Sequence, residues 1–436
     1  MKTPKQKNLN ISDIVQLQTK SKIWKGLVLE SHDPEVILLK LDSGYNIGIR
    51  ESEILNVKVI QSAEKTISKK EAEKTAPQTT LNKKLPNIAM IITGGTISSR
   101  LDPKTGGVIS TDAEEILTIA PELKNICNIT KIEKPFMKWS ENMSFQDWKK
   151  LAQTCEKLLN NNDISGIIIT HGTDFLHYTA SALSFFIQNL NKPIALTYSQ
   201  RSIDRGSTDA ALNLICSAKY ATSDIAEVTI IGHKNLDDEI CLAMPGTKTR
   251  KMHTSRRDTF KIINSEPLAE ITKTKLTILK QFNARNSNKV KLDAKFSDKV
   301  ALIKIHPAQS PAILDFYANQ NYKGIILELS GLGHTPSKQS KQNWLPTIKK
   351  LTKKGITICG APQTLYGRLN PNVYSAGREL QKTGIIFLQD MLPETALIKL
   401  SWVLGHPSWA KDKNKIKEKM LTNFANEISD EIGFEF

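Results

Sequence analysis

The chain has 436 residues, of which 39% are hydrophobic and 24% are charged, and its formal net charge is +16 at pH 7. This length is sufficient for two or three domains with their own cores, and the composition is ordinary for a soluble protein. No run of about 18 apolar residues occurs and the first residues lack an apolar core, so we expect neither a membrane span nor a signal peptide. We therefore predict a cytoplasmic protein.

The positive charge fits an anionic partner such as RNA, but lysines are spread through the whole chain, as a lysine-rich composition alone would place them. Aromatic residues do not alternate with lysine and arginine, so we expect direct contact with RNA to be minor. The five cysteines are scattered and form no Cys-x-x-Cys pair, which indicates neither a disulfide framework nor a zinc site. Most of them are predicted to be small core residues.

The first segment of the chain is rich in β-forming residues. The segments of strand length are Asp13 to Thr19, Ile23 to Glu30, Glu35 to Leu41 and Tyr45 to Ile49, with the hairpin signal Asp42-Ser43-Gly44 between the last two. Strands this short and closely spaced predict a small five-stranded β-barrel of the SH3-like type. Such a unit usually binds a partner, although a passive appendage would have the same pattern.

Residues 61–86 are polar, charged and nearly free of large apolar side chains, which is typical of a linker. We therefore predict a small β-barrel over residues 1–60 and a polar linker over 61–86. An N-terminal α/β domain is predicted over 87–280, and a C-terminal α/β domain with a charged tail over 281–436.

From residue 87 onward, short apolar strands alternate with loops and amphipathic helices. The predicted strands of the first α/β domain are Ile88 to Ile92, Gly166 to Thr170, Pro193 to Tyr198 and Glu227 to Gly232. Helices are predicted after the caps Ser110 or Thr111, from Phe145 to Asn160, from about Tyr178 to Asn189, and within Asp204 to Ser217. Such alternation predicts a parallel, doubly wound sheet.

Residues from about 270 to 298 lose this alternation and are predicted to join two lobes. The second lobe has predicted strands at Val300 to Ile305, Gly324 to Leu329, Gly355 to Cys359 and Gly384 to Leu388. Its predicted helices are Ala312 to Asn319, Lys338 to Lys353 and Pro393 to Leu404. The last stretch, from Lys411 to Phe436, is charged and predicted to be helical.

Two of the predicted strands end in loops rich in hydroxyl groups. One strand is followed by Thr93-Gly94-Gly95-Thr96 and another by His171-Gly172-Thr173-Asp174. In open α/β sheets, ligands bind at the carboxyl ends of the strands, and paired glycines let backbone N–H groups approach a ligand. The glycine spacing fits neither a dinucleotide fingerprint nor a nucleotide-binding loop, so a phosphate cradle is disfavoured.

A third segment, residues 248–258, is dense in cationic side chains. Hydrolysis of an amide requires a nucleophile, a base that takes its proton, and donors for the developing oxyanion. A lysine can serve as that base if burial or neighbouring positive charge lowers its pKa. We therefore hypothesise that Lys251 is the base, that the N–H groups of Gly94 and Gly95 bind the oxyanion, and that the neighbouring charge comes from Arg250, Arg256 and Arg257.

The two hydroxyl-rich loops, with the strands before them, read Ile-Ile-Thr-Gly-Gly-Thr-Ile (residues 91–97) and Ile-Ile-Thr-His-Gly-Thr-Asp (residues 168–174). With both motifs in this order, the chain resembles the bacterial-type L-asparaginase family over roughly residues 87–410. The resemblance implies a two-lobed asparaginase-like α/β fold. It also implies hydrolysis of a side-chain amide through a threonine nucleophile, without a metal.

The resemblance also assigns roles to single residues. Thr96 matches the nucleophile, while Thr173 and Asp174 match a second threonine and the aspartate beside it, which also bind the substrate. Lys251 matches the lysine that completes the triad, judged by its distance from Phe260, whereas Lys248 fits less well. Which threonine attacks first is left open.

Substrate-binding residues follow from the same resemblance. Ser140 and Glu141, within residues 139–143, match the segment that holds the α-carboxylate and α-ammonium groups of the substrate, and Gly95 also contacts it. His171 and His253 lie beside the predicted site, but the more economical interpretation is that both are hydrogen-bonded structural histidines.

Residues 100–108 lack the tyrosine that free-standing asparaginases usually carry in this loop, which counts against efficient unassisted hydrolysis. The front barrel, the linker and the cationic segment make the chain similar to an archaeal branch of the family. Members of that branch serve tRNA-dependent amidotransferases. This resemblance implies the glutaminase subunit of a Glu-tRNA(Gln) amidotransferase, a ligase that uses glutamine as amide donor.

The same resemblance implies the partners. Ammonia would pass to a GatE-like E subunit, which uses ATP and Mg to convert Glu-tRNA(Gln) to Gln-tRNA(Gln) and makes most of the tRNA contacts. This chain would need no cofactor or metal and would form a homodimer core within a heterotetramer, away from membranes. The alternatives are a free-standing cytosolic L-asparaginase, against which the barrel and the missing tyrosine argue, and a non-catalytic partner-binding scaffold, against which the intact motifs argue.

Overall fold

The first strands of the chain pair into a small antiparallel sheet of their own. The computed structural model describes residues 9–31, 33–41, 46–62, 82–101, 108–110 and 113–430. The sheet has the order β4-β3-β2-β1-β5 and consists of β1 (Ile14–Thr19), β2 (Ile23–Leu29), β3 (Val36–Leu41), β4 (Asn46–Arg50) and β5 (Ile54–Gln61). The four predicted strands and the five-strand count are confirmed, while the predicted turn at residues 42–44 lies outside the described residues.

Alternation of side chains explains why this small sheet folds. Val15 and Leu17 on β1 are fully buried together with Leu39 on β3, because successive residues of a strand point to opposite faces. The fifth strand, β5, was not located in the sequence and extends to the first residue of the predicted linker. Of that linker, residues 63–81 lie outside the described part of the chain.

The N-terminal lobe is built on an eight-stranded sheet of order β18-β17-β14-β13-β12-β10-β6-β9. Its strands, with two small two-stranded ribbons, are β6 (Asn87–Ile92), β7 (Ser99–Leu101), β8 (Val108–Ser110), β9 (Asn128–Glu133), β10 (Ile167–Thr170), β11 (Ile187–Gln188), β12 (Ile194–Thr197), β13 (Val228–His233), β14 (Ile240–Pro245), β15 (Thr249–Lys251), β16 (Phe260–Ile262), β17 (Ala269–Thr272) and β18 (Leu276–Ile278). Its helices are α1 (Ala113–Thr118), α2 (Phe145–Leu159), α3 (Leu176–Phe186) and α4 (Ala210–Ala221).

The predicted parallel sheet is found in the part that carries the two motifs. Strands β9, β6, β10, β12 and β13 pair in parallel, and β6 and β10 are buried on both faces, as their unbroken apolar runs predict. From β13 onward the sheet continues with antiparallel strands, so a wholly parallel lobe was too simple a prediction. Two of these antiparallel strands, β17 and β18, lie in or beside the stretch predicted only to join the lobes.

The C-terminal lobe has a four-stranded parallel sheet of order β20-β21-β22-β23. Its elements, with the linking strand β19, are β19 (Lys291–Leu292), β20 (Val300–Lys304), α5 (Ala312–Asn319), β21 (Gly324–Leu329), α6 (Leu345–Lys353), β22 (Thr357–Pro362), α7 (Ser375–Gln381), β23 (Ile386–Phe387), α8 (Pro393–Leu404), α9 (Pro407–Ala410) and α10 (Lys413–Leu421). The strand β21 and the helices α5 and α8 have the predicted bounds.

Other predicted elements differ from the structure in length. Helix α6 begins at Leu345 rather than at Lys338, because Pro346 occupies its first turn, where the missing N–H costs nothing. Helix α3 ends at Phe186, since the next two residues pair with β19. The described part of the tail, up to residue 430, has a helix over Lys413–Leu421, after which Glu427 and Ser429 contact Lys399 and Asp390 of the C-terminal lobe.

The two lobes share one hydrophobic core. Helix α3 of the first lobe packs against α8 of the second, with the rings of Phe185 and Trp402 stacked at 5.7 Å. The Nζ of Lys399 on α8 donates at 2.5 Å to Glu427 of the tail, and both side chains are fully buried. The tail therefore closes one side of this core. In the part of the chain that the structure describes, no helix is long and apolar enough to cross a membrane.

All five cysteines are buried and unpaired, which confirms their prediction as core residues. Burial raises the pKa of the Cys127 thiol to about 12, so this side chain remains protonated and unreactive.

Candidate active site

The backbones of the two motif loops lie so close together that only glycine fits at the contact. A Cβ atom on Gly95 would lie 2.4 Å from the Cα of Gly172, and one on Gly94 would lie 2.4 Å from the carbonyl oxygen of Lys138. Both glycines have positive φ, 113° at Gly94 and 82° at Gly95. The glycines therefore let the turn after β6 close against the turn after β10.

Hydroxyl groups lock the same two strands together below the loops. Thr93 Oγ1 donates to the carbonyl oxygen of Thr170 at 2.9 Å, and the hydroxyls of Thr170 and Ser98 are 3.2 Å apart. All three side chains are fully buried. Thr96 begins a short 3-10 turn, Thr96–Ser98, directly after Gly95 and remains half-buried.

The predicted base lies against the second motif. Lys251 Nζ donates to Thr173 Oγ1 at 2.8 Å and to Asp174 Oδ1 at 2.7 Å. The side chain of Lys251 is 12% exposed and that of Asp174 is 59% exposed, so the cluster opens to solvent on the aspartate side. A lysine, a threonine hydroxyl and a carboxylate are thus joined in one hydrogen-bonded unit.

Lys251 reaches this position because it ends β15, which forms a two-stranded ribbon with β16. Lys251 pairs with Phe260 across this ribbon, and the Phe260 ring packs against Tyr198 with centroids 4.7 Å apart. Lys248, the less favoured candidate, instead points away: its Nζ donates at 2.6 Å to Asp390 of the C-terminal lobe. The geometry therefore places Lys251 rather than Lys248 beside Thr173.

The third predicted segment meets the loops at Ser140. A Cβ on Gly172 would lie 3.0 Å from Ser140 Oγ, which accepts a hydrogen bond from the Phe175 N–H at 3.2 Å. Ser140 is 2% exposed, whereas the adjacent Glu141 is exposed. The structure thus brings Ser140 into contact with the second motif, with Glu141 beside it at the surface. Of the predicted tyrosine-free loop, residues 102–107 lie outside the described residues.

The helix after this segment fixes its position. Asp147, in the first turn of α2, accepts hydrogen bonds from the backbone N–H and the hydroxyl of Ser144 and from Lys138 Nζ at 2.8 Å. Burial raises the pKa of Asp147, but the hydrogen bonds from Lys138 and Ser144 outweigh it and hold the pKa below its usual value. A charged Asp147 therefore ties both ends of residues 138–144 to one helix start.

The cationic segment does not present free positive charge to Lys251, contrary to the hypothesis. Arg256 donates to Asp258 at 2.9 Å and Arg257 donates to Asp238 at 2.8 Å, so their charges are paired. Arg250 pairs with Glu394 of the C-terminal lobe at 3.1 Å. Only Arg250 of the three arginines lines the same pocket as Lys251, because the strand β15 carries both.

The histidines have structural roles, as predicted. His171 Nδ1 donates to the Gly172 carbonyl oxygen at 2.7 Å, and its Nε2 accepts from Thr179 Oγ1 at 2.9 Å. Burial lowers the pKa of His171 to about 4, so the ring is neutral and braces the second motif. His253 accepts hydrogen bonds from the backbone N–H groups of Ser255 and Arg256, which shapes an exposed turn.

A pocket of about 360 Å³ adjoins the cluster. Its lining includes Asp174, Tyr178, Arg250, Lys251 and Glu394. Glu394 comes from the first turn of α8, so the C-terminal lobe forms part of the pocket wall. Among the residues described, no group of three or more His, Cys, Asp or Glu side chains is arranged to hold a metal ion.

Sequence reasoning missed Thr179, Asp390 and Glu394. Thr179 accepts a hydrogen bond from Trp148 Nε1 at 2.9 Å and passes its own to His171, which links α2 to the second motif. Thr179 lies at the start of the predicted helix that directly follows the His171 loop, which could have suggested this contact. Asp390 and Glu394 carry no such signal, since their partners are more than a hundred residues away in the chain.

Comparison with known proteins gives the class of protein that this fold and site define. Residues 87–284 match the family model described as asparaginase, N-terminal, and residues 299–420 match the glutaminase/asparaginase C-terminal domain. The structure is similar to the L-asparaginase of Thermococcus kodakarensis, with a TM-score of 0.71 and 28% identity over 79% of this chain and all of that one. L-asparaginase I of Vibrio cholerae gives a TM-score of 0.68 with 27% identity, covering 79% of this chain and 99% of that one.

Matches that extend over nearly the whole chain identify one branch of this family. Residues 9–60 match the GatD N-terminal domain. The chain is 44% identical to the D subunit of the glutamyl-tRNA(Gln) amidotransferase from Thermococcus kodakarensis, covering 93% of this chain and 90% of that one. It is 43% identical to the Pyrococcus furiosus protein of the same name, with coverages of 98% and 96%. The chain therefore belongs to the family of glutamyl-tRNA(Gln) amidotransferase D subunits, which confirms both resemblances predicted from the sequence.

Proposed function

We propose that this chain is the glutaminase subunit of a tRNA-dependent amidotransferase. It hydrolyses the side-chain amide of glutamine to glutamate and ammonia. A partner E subunit uses the ammonia, with ATP and Mg, to convert Glu-tRNA(Gln) to Gln-tRNA(Gln). The observation that carries the proposal is the contact of Lys251 Nζ with Thr173 and Asp174 within a chain that is similar to amidotransferase D subunits over nearly its whole length.

The reaction proceeds in two halves. The Thr96 hydroxyl adds to the amide carbon, and the N–H groups of the Gly94-Gly95 turn stabilise the negative charge that develops on the carbonyl oxygen. The proton lost by the hydroxyl passes through Thr173 and Lys251 to the amide nitrogen. The C–N bond then breaks, ammonia leaves and an ester on Thr96 remains. Water hydrolyses this ester by the reverse proton path, which releases glutamate and restores the threonine.

The base must be neutral when it accepts this proton, and it must be held in place. Lys251 lies within hydrogen-bond distance of Thr173 Oγ1, which satisfies the geometric requirement for a general base. Asp174 orients the same nitrogen, Lys251 Nζ, at 2.7 Å and, through its exposed side, is available to the α-ammonium group of the substrate. Ser140 and Glu141 supply the remaining contacts to the amino-acid end of the substrate.

The assembly is part of the proposal. We assign to this chain no cofactor or metal of its own, a homodimer core within a heterotetramer, and contact with tRNA mainly through the E subunit. The front sheet supports a role in an assembly, because the matching GatD N-terminal domain lies outside the two matched asparaginase regions.

The deciding experiment is ammonia release by the purified chain, given asparagine or glutamine, first alone and then with the E subunit, ATP and Glu-tRNA(Gln). The proposal expects little release from the chain alone and strong glutamine hydrolysis in the full mixture. Omission of ATP or replacement by uncharged tRNA serves as control. Strong asparagine hydrolysis by the chain alone, unchanged by the additions, would instead establish a free-standing asparaginase.

A further inference from the structure

The strand that carries the proposed base is short and weakly supported within its own lobe. Among the strands that the structure describes, β15 spans only Thr249–Lys251 and pairs only with β16, which is equally short. A two-stranded ribbon of this kind has little stability by itself. Something outside the ribbon must therefore fix the strand if Lys251 Nζ is to remain 2.8 Å from Thr173.

Alternation along the strand supplies the answer. Lys251 points to Thr173 and Asp174, whereas Arg250 within the strand and Lys248 directly before it both reach the C-terminal lobe. Their acceptors are also close in the chain: Asp390 lies just before α8, and Glu394 lies in its first turn. One side of the strand therefore serves the site, and the other is tied to the start of one helix.

The first tie is a buried ion pair. Lys248 Nζ and Asp390 Oδ2 are 2.6 Å apart, and their side chains are 1% and 0% exposed. Asp390 is itself held by the backbone N–H of Ser429, at 3.1 Å from Oδ1. A buried pair that loses one partner leaves an uncompensated charge, so this contact resists displacement strongly.

The second tie lies at the pocket. Arg250 and Glu394 are 3.1 Å apart, with side chains 29% and 8% exposed. Glu394 sits in the first turn of α8, where the helix dipole favours a negative charge. Arg250 directly precedes Lys251, so a shift of Arg250 changes the direction in which the lysine leaves the strand.

We propose that Lys248 and Arg250 are positioning residues, which clamp β15 to Asp390 and Glu394 of the C-terminal lobe and so hold Lys251 against Thr173. This rests on the proposed function, in which Lys251 is the base. In the proposed mechanism, neither residue contacts the substrate or the reacting atoms. Its loss therefore lowers the rate of the chemical step and leaves substrate binding nearly intact, because displacement of a catalytic group by about 1 Å can cost about 100-fold in rate.

The test compares Arg250→Gln and Lys248→Met with matched controls, all assembled with the E subunit and assayed for glutamine hydrolysis. Lys350→Gln removes a surface pair with Asp315, and Lys338→Gln removes a surface pair with Glu379, and both pairs lie within the C-terminal lobe and outside α8. Active sites are counted by labelling with an electrophilic glutamine analogue, so that kcat is expressed per competent site. We expect kcat to fall at least about tenfold in Arg250→Gln with KM within about twofold, and both control variants to keep kcat.

A conservative substitution at Arg250 distinguishes a positioning role from a general effect on folding. Arg250→Lys keeps the charge and most of the reach, and we expect it to regain most of kcat, which a merely structural effect on folding would not require. If Lys248→Met does not fold, the partly exposed Arg250 decides the matter alone. An unchanged kcat in Arg250→Gln, or an equal fall in the surface controls Lys350→Gln and Lys338→Gln, overturns the proposal.

The failure of the clamp is distinguishable from failure of the proposed function. Full glutamine hydrolysis by Lys251→Met would refute the assignment of Lys251 as the base, and the proposal that Lys248 and Arg250 position it would fall with that assignment. An inactive Lys251→Met beside fully active Arg250→Gln and Lys248→Met would leave the proposed function standing and refute only the clamp.

Discussion

Replacement of Lys251 by methionine is the sharpest test of the site. The change keeps most of the side-chain length but removes the ammonium group that contacts Thr173 at 2.8 Å and Asp174 at 2.7 Å. A positioned general base contributes about 10²- to 10⁴-fold in rate, equivalent to about 3–5 kcal/mol of activation free energy. We therefore expect kcat for glutamine hydrolysis to fall at least about 100-fold in the full mixture.

The same variant should hardly change the stability of the fold. The Asp174 side chain is 59% exposed, so its ion pair with Lys251 is screened by water and contributes at most about 1 kcal/mol to the free energy of unfolding. The assay is ammonia release with the E subunit, ATP and Glu-tRNA(Gln), together with thermal unfolding of the purified chain. A large loss of rate with an almost unchanged melting temperature is the expected combination.

Lys261→Met is the matched control. Lys261 lies on β16 of the same ribbon and pairs with Asp258 at 2.7 Å rather than with Thr173 or Asp174. We expect this variant to keep its activity. Retention of more than about a tenth of the wild-type rate by Lys251→Met, or an equal loss in Lys261→Met, would refute the assignment of Lys251 as base.

Three further predictions follow from the geometry. An electrophilic glutamine analogue should label Thr96, as read by peptide mass spectrometry, and a label on Thr173 would exchange the roles of the two threonines. Gly95→Ala should abolish activity and destabilise the fold by at least about 1–3 kcal/mol, since φ is 82° and the new Cβ would meet Gly172. Gly206→Ala, whose new Cβ would meet no described atom within 4 Å, should change neither, as thermal unfolding and activity assays can check. The pKa of His171 is about 4 in the folded chain, below its value of about 6.5 when unfolded, so this group's contribution to stability is complete above pH 6.5 and is lost as the pH falls to 4, a change of about 3 kcal/mol. His171→Gln should unfold with a flatter pH dependence across this range in denaturant titrations, and an unchanged slope would contradict the assigned pKa.

The parallel half of the N-terminal sheet could be predicted because its strands carry local signals. Ile88 to Ile92 and Ile167 to Ile169 are unbroken apolar runs, and the residues that follow are glycines and hydroxyl-bearing side chains. Burial on both faces demands such runs, so the pattern and the structure agree closely. The antiparallel half of the sheet is not buried on both faces in this way and therefore does not require unbroken apolar runs. Its short strands β17 and β18 resemble linking segments in the sequence.

Some residues of the candidate active site could likewise be predicted from local sequence signals, and others could not. The motifs placed Thr96, Thr173 and Asp174 in adjacent loops, and the distance to Phe260 selected Lys251, which the structure brings to Thr173. Charge density was a poor guide, because a run of cations says nothing about the carboxylates that will pair with them. Asp258 is close in the chain, but Glu394 lies in another lobe and is brought near only by folding.

Consequently, the order in which the chain is synthesised affects when the site becomes competent. Lys248 finds its acceptor 142 residues further on, at Asp390, so a ribosome must release most of the C-terminal lobe before this contact can form. Both motif loops and the lysine strand emerge well before that point. An incomplete chain thus holds all the residues of the cluster without the contacts that join Lys248 and Arg250 to the C-terminal lobe.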